Sequence, residues 1–368
     1  MRERIVVKIG SSSLTSEQGG LNKQRIDFFA GELSRLQRAG YEVLLVTSGA
    51  VAAGFRRIGY EARPRLVHEK QAAAAVGQAL LMQAYQEAFG RDGIGVAQIL
   101  LTRSDFSNRK RIHNAQMTLD ELLCRGILPI INENDTVATA ELKFGDNDTL
   151  SALVANLVKA KQLLILTDTD GLYTADPRTN PQASRIARVD KISEEIERIA
   201  GGAGSSVGTG GMRSKIDAAR IAMRGGIPAF VGKLTEDSGL LEALDGQGHG
   251  TYFDTAEHSL PMKKQWVGFH STPRGVVVID EGAEAAIIEK GKSLLPAGVL
   301  HSEGEFHPGD VIEVKNSAGR ILGRGVVNYS YWQVQAAAGL GSEEVRKRLD
   351  VGRIEIIHRD EWVAFEGH

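Results

Sequence analysis

Two lysines and a glycine run are the residues of this chain best suited to handling phosphate. The run is Gly208-Thr209-Gly210-Gly211-Met212-Arg213-Ser214-Lys215, and the other lysine, Lys8, stands near the end of the first apolar stretch. Glycines that open a helix leave backbone N–H groups unpaired and pointing outward, a seat for an anion. A lysine in the first helical turn adds a full positive charge beside that seat. The spacing is not that of the P-loop, which requires Gly-x-x-x-x-Gly-Lys-Ser/Thr after a strand. A phosphate site here would belong to another scaffold, and a plain turn before a helix is the alternative.

Carboxylates and amides gather in four further places. Gly145-Asp146-Asn147-Asp148 precedes an apolar helical run. One of these side chains suffices to cap that helix, which leaves two for other work. Asp148 suits charge-assisted hydrogen bonds to two lysines, and Asn147 could receive a substrate amine or carboxylate. Asn132-Glu133-Asn134-Asp135 is either a solvated loop or a recognition loop in which Asp135 meets a substrate ammonium group. In Thr47-Ser48-Gly49-Ala50, Ser48 either caps its own helix or helps a helix start receive a carboxylate. Thr167-Asp168-Thr169-Asp170-Gly171 is either an Asx-rich turn or the flank of a nucleotide. The nine histidines show no ligand spacing, so no metal-ligand set is expected. Neither a Gly-x-Ser-x-Gly elbow nor a dinucleotide glycine fingerprint after the first strand is present.

The elements around these residues alternate. Strands are expected over 5–9, 43–47, 96–101, 128–131, 163–167 and 229–231. Helices are expected over 24–39, 69–89, 115–124, 148–159 and 212–224. This rhythm reads as βαβ units around a largely parallel sheet covered on both faces, a three-layer α/β sandwich. Ligands in such sheets bind at the carboxyl ends of the strands, and four strands here end in the polar segments just described. From about Tyr252 the rhythm stops. Short strands over 275–279, 311–315, 325–329 and 354–358, with a helical piece over 283–290, read as a small β-rich barrel. The expected division is 1–258, a linker over 259–273, and 274–368.

In order along the chain, Lys8-Ile9-Gly10-Ser11-Ser12, Val46-Thr47-Ser48-Gly49-Ala50, Pro129 through Asp135, Phe144 through Asp148, Leu166-Thr167-Asp168 with Asp176-Pro177-Arg178, and Gly208 through Lys215 resemble the amino-acid kinase family. Within it they resemble the members that phosphorylate L-glutamate at the start of proline biosynthesis. The resemblance implies ATP as phosphoryl donor, Mg2+ as its cofactor, and the glutamate γ-carboxylate as acceptor. It also implies that Lys8 and Lys215 face the transferring phosphoryl group with Asp148 orienting them. ATP would be held by Lys8, Thr167, Asp168 and the loop Thr209, Gly210, Gly211, Met212, Arg213, Ser214 and Lys215. Glutamate would be held by Ser48, Asn132, Asp135 and Asn147. Feedback inhibition by L-proline and a homo-oligomer are further implications. Asp280-Glu281-Gly282-Ala283, the stretch Gly291 through Gly298, and Phe306-His307-Pro308-Gly309-Asp310 resemble a PUA domain, the small barrel named from RNA-modifying enzymes.

Bulk properties agree with a soluble enzyme. The chain has 368 residues, 42% hydrophobic and 24% charged, with a formal net charge of −2. Two domains are the natural expectation at this length. The charge gives no global attraction to nucleic acid or anionic membrane. One cysteine, Cys124, excludes internal disulfides and cysteine-built zinc sites. The opening residues run into a short strand without a long apolar leader, so a cytoplasmic address is expected. Residues 264–368 carry 15 acidic against 12 basic side chains. Phosphate contacts dominate nucleic-acid affinity, so strong RNA binding by this segment is not expected, and a structural or regulatory role is. The nearest rival is another kinase of the same family, acting on acetylglutamate, aspartate or uridylate. Asp135 favours a free ammonium over an acetylated one. An RNA-binding protein with a vestigial kinase domain is the rival from another class, and the lysine pair and acidic tail speak against it.

Overall fold

The computed structural model describes residues 2–16, 20–138, 147–177, 179–201, 211–235, 239–255, 273–349 and 351–365. They form two compact units. The first is built on an eight-stranded sheet in the order β3-β4-β2-β1-β5-β9-β10-β8. Its strands are β1 (Arg4–Ile9), β2 (Glu42–Val46), β3 (Val96–Leu101), β4 (Leu128–Glu133), β5 (Gln162–Leu166), β8 (Arg188–Val189), β9 (Ala229–Lys233) and β10 (His249–Phe253), while β6 (Leu172–Tyr173) and β7 (Arg185–Ile186) form a separate ribbon. The first six in spatial order are parallel, as their near-continuous apolar sequences require. β10 runs antiparallel to β9. This edge was not expected, because His249 and Gly250 break the apolar run that marks the buried strands.

The helices are α1 (Ser11–Leu14), α2 (Lys23–Arg38), α3 (Ala50–Gly54), α4 (Val67–Gly90), α5 (Arg103–Ser107), α6 (Arg109–Cys124), α7 (Asn147–Val158), α8 (Glu194–Ala200), α9 (Met212–Arg224) and α10 (Leu240–Leu244). Asn22 caps α2 by accepting from the Arg25 N–H at 3.1 Å. Strand alternation sorts side chains between the two layers. Ile5, Val7 and Ile9 of β1 pack with Phe29 and Leu33 of α2 and with Leu81, Tyr85 and Phe89 of α4 in one core. Val6 and Lys8 therefore face the other layer, where α7 packs on β1 and α9 packs on α7.

The second unit holds a five-stranded sheet in the order β12-β11-β13-β14-β15. Its strands are β11 (Gly275–Ile279), β12 (Val299–Gly304), β13 (Val311–Asn316), β14 (Ile321–Val327) and β15 (Ile357–Ala364). A bridge between Leu294 and Ile357 ties the segment entering β12 to the opposite edge, so the sheet curls toward a barrel. Its own core includes Val277, Ile312, Val314, Phe306 and Tyr329. The second unit departs from the expected strands and helices in detail. β12 was not expected, β14 and β15 lie at 321–327 and 357–364, and the helix expected at 283–290 is Glu281–Ile288, capped by Asp280. Short helices at Tyr331–Ala337 and Ser342–Arg348 were also missed. Half-exposed β12 alternates too weakly to stand out. Apart from Pro273, the expected linker over 259–273 lies outside the described residues. Among the described residues no helix is long and apolar enough to cross a membrane.

Candidate active site

Lys8, Asp148 and Lys215 meet above the centre of the first sheet. Lys8 comes from β1, Asp148 from the first turn of α7 and Lys215 from the first turn of α9. The Lys8 ammonium pairs with Asp148 Oδ1. Lys215 Nζ approaches Asp148 Oδ2 at 3.3 Å, and Ser214 Oγ donates to the same oxygen at 2.7 Å. All three members are buried, Asp148 completely. Burial alone would raise the Asp148 carboxyl, but the two ammonium groups and the Ser214 hydroxyl overcome it and hold the group below the usual carboxylate range. Two ammonium groups converge on one carboxylate in a place that water barely reaches, an arrangement suited to meeting an anionic group.

Helix packing sets this meeting. α7 and α9 run side by side in the same direction. Asp148 meets Ser214 and Lys215 near their starts, and Asn156 Nδ2 donates to Ile221 O at 3.1 Å near their ends. A Cβ on Gly225, which follows α9, would fall 1.7 Å from Asn156 Oδ1. A larger residue there would force the Asn156 side chain, and its bond to Ile221 O, to move.

A second group of side chains lies on the β2 and β4 side. Asn147 Nδ2 donates to Ser48 Oγ at 2.8 Å and to Asn132 Oδ1 at 3.0 Å. Asn147 Oδ1 is buried and finds no hydrogen-bond partner among the described residues. Ser48 does not cap α3. The cap is Gly49, whose φ of 109° is one that glycine readily adopts, and no side chain completes it. The Ser48 hydroxyl is turned to Asn147 instead. Beneath it, Thr47 Oγ1 and the Tyr85 hydroxyl lie 2.9 Å apart. Burial pushes the Tyr85 phenol well above its ordinary range despite that bond, so it stays a neutral partner. Asp135 sits half-buried in the turn after β4, its N–H donating to Glu133 O at 2.9 Å. Beside this turn an open cavity of about 420 Å³ is lined by Thr102, Asp105, Arg111 and Asn134.

The remaining candidates are less gathered. Thr167 follows β5, its N–H bonded to Gly232 O at 2.9 Å and its hydroxyl to Asp168 Oδ1 at 3.0 Å. Gly211 precedes α9 in extended conformation with no side-chain cap, and Met212 is half-buried. Arg213 is turned to carboxylates, at 3.4 Å from both Glu197 and Asp217, and the structure does not bring it to the lysine pair. Gly208, Thr209 and Gly210 lie outside the described residues. No group of three His, Cys, Asp or Glu side chains with metal-ligand spacing occurs among the described residues. Sequence reading missed Gln78 of α4, whose Oε1 accepts from Asn132 Nδ2 at 2.9 Å. Nothing in its local pattern separates it from any other polar residue on a helix.

A largely parallel sheet with buried cations above its central strands defines a class of phosphate-handling α/β enzyme. The amino acid kinase family pattern matches residues 3–233, and the chain belongs to that family. The PUA domain pattern matches residues 275–349. Two relatives, both named glutamate 5-kinase, resemble the chain along nearly its whole length. The one from Bacillus cereus is 50% identical over 364 residues, covering 99% of both chains. The one from Halalkalibacterium halodurans is 50% identical over 366 residues, covering 99% of this chain and 98% of its own. Among solved structures, carbamate kinase from Giardia lamblia bound to AMP-PNP superposes with a TM-score of 0.50 at 17% identity. It covers 69% of this chain and 99% of that one, a likeness of fold alone.

Proposed function

We propose that the chain transfers the γ-phosphoryl group of ATP to the γ-carboxylate of L-glutamate, giving L-glutamyl 5-phosphate and ADP in the first step of proline biosynthesis. The observation that carries the proposal is the buried Lys8–Asp148–Lys215 cluster, two ammonium groups held on one carboxylate; relatives at 50% identity supply the acceptor. A carboxylate is ionised at neutral pH, so the acceptor needs no general base. A carboxylate oxygen forms a bond to the γ-phosphorus as the bond to the β,γ-bridging oxygen breaks, and ADP departs with that electron pair. Catalysis then consists of alignment and charge stabilisation. Lys8 and Lys215 would meet the equatorial oxygens of the transferring group. Asp148 keeps both ammonium groups aimed, so they need not reorganise as charge develops.

Ser48, Asn132, Asp135 and Asn147 form the acceptor side, with Asp135 and Asn147 Oδ1 toward the ammonium group. Thr167, Asp168 and the loop Thr209–Lys215 form the nucleotide side. Mg2+ would arrive on the triphosphate. When bound, the ion would neutralise phosphate charge. Catalysis is assigned to residues 1–258, and residues 274–368 to structure or regulation. L-Proline shares the backbone groups of glutamate and is expected to inhibit competitively with it. A cytoplasmic homo-oligomer completes the reading.

Hydroxylamine trapping tests the reaction, because it converts an acyl phosphate to a hydroxamate. L-Glutamate, N-acetylglutamate, aspartate and UMP are compared with ATP present. Hydroxamate from glutamate alone is the expected result, and turnover of a different acceptor would overturn the substrate assignment.

A further inference from the structure

The amide contacts around Asn147 run in one polarity, held by a backbone N–H on one side of Asn132 and by Gln78 on the other. The Glu133 N–H, which can only donate, points to the Asn132 side chain at 2.9 Å, so the atom it meets is Oδ1. Asn132 Nδ2 is thereby turned to Gln78, which must present its oxygen, and does so at 2.9 Å. The Gln78 amide group in turn donates to Gln98 Oε1 at 2.8 Å. In the other direction, Asn147 must present its NH2 to Asn132 Oδ1, and the same NH2 also reaches Ser48 Oγ. The atom left over is Asn147 Oδ1, buried and without a partner among the described residues.

We propose that Gln78 is a positioning residue for the acceptor substrate: by holding Asn132 it fixes the Asn147 carbonyl, rather than its NH2, toward an N–H donor of that substrate. This rests on the acceptor-side reading above. α4 is built to deliver Gln78 there. The preceding residue, Gly77, lies so close to α3 that a Cβ would come within 1.7 Å of Ala50 O. Gln98 on β3 and Asn132 on β4 lie on one face of the sheet, since their partners in register are Ile130 and Leu100. Asn132 is only 2% exposed. Loss of its acceptor strands a buried N–H and releases the Nδ2 end of the amide, so Oδ1 is held less firmly where Asn147 needs it.

Gln78→Met keeps length and helix propensity but removes the acceptor, whereas Gln78→Glu keeps an acceptor at the same place. Exposed Gln98 can turn its amide to meet the new carboxylate. The hydroxamate assay on the unsubstituted chain first establishes which acceptor is used. Steady-state kinetics of the full-length variants with that acceptor then give the test. Gln78→Met is expected to raise the KM for the acceptor about tenfold, with KM for ATP, kcat and Tm near those of the parent. Gln78→Glu is expected to restore the acceptor KM to within about twofold of the parent. An unchanged acceptor KM in Gln78→Met, or a rise matched in the KM for ATP, overturns the proposal. So does a Gln78→Glu variant as impaired as Gln78→Met. If Gln78→Met does not fold, Gln78→Ala takes its place under the same criteria. A parent enzyme that ignores glutamate but shows the split with another acceptor refutes the substrate assignment and leaves the positioning role standing.

Discussion

Asp148 serves two lysines at once, and its variants separate the two halves of that task. Lys8→Ala and Lys215→Ala each remove one charge that would face the transferring group. We expect kcat to fall about a hundredfold or more in either, with the KM for glutamate changed little, as read by hydroxamate kinetics. Asp148→Asn instead leaves two buried cations side by side, and urea unfolding should show a loss of about 3–5 kcal/mol. The pH dependence follows from the depressed Asp148 carboxyl. Its folded pKa lies below the unfolded value of about 3.9, so between the two the unfolded chain binds more protons and stability rises with pH. The contribution is complete above that range and is lost as pH falls through the folded value. Thermal melts below about pH 4 should decline more steeply for the parent than for Asp148→Asn. Lys8, Asp148 and Lys215 could be picked from the sequence because charged residues beside apolar runs stand out. Gln78 could not, because its importance lies in a contact with Asn132, which is distant in sequence.

Elements deliver these side chains through a few contacts that tolerate nothing larger than glycine. α3 and α4 touch at Gly54 and Gly77, where a Cβ on Gly54 would lie 2.0 Å from Ala73 O. Gly77→Ala must push α3 away, and with it the turn that carries Ser48. We expect a loss of about 1–3 kcal/mol in urea unfolding and a raised KM for glutamate, while the KM for ATP holds. Equal change in both constants would mean that the contact supports the whole sheet rather than the acceptor side. The central strands were legible because both of their faces are buried and their residues are almost uniformly apolar. β10 and β12 were not, since one contains glycine and histidine and the other is half-exposed. The existence of the long helices was legible from periodicity, but short ones such as α3 and α8 were not, nor were starts such as that of α6 at Arg109, six residues before the expected 115. Polar first turns carry no apolar stripe.

At the scale of the whole molecule, each unit encloses its own core. Residues 273–368, expressed alone, should therefore melt in one cooperative transition by circular dichroism. With 15 acidic and 12 basic side chains over 264–368, the isolated segment should give no tight, salt-sensitive gel shift with RNA; a shift abolished by moderate salt would contradict this. Two domains were legible from length and from the change of rhythm near Tyr252. The strand order, with β4 beside β2 and β5 beside β1, was not, because local pattern says where strands are and not which of them pair. The buried trio also bears on how such a chain can change over generations. Lys8, Asp148 and Lys215 lie on three separate segments, and heredity alters one residue at a time. Exchange of Asp148 first passes through a descendant with two like charges buried side by side, whereas exchange of either lysine first leaves a balanced pair, so the aspartate is the last of the three to be given up.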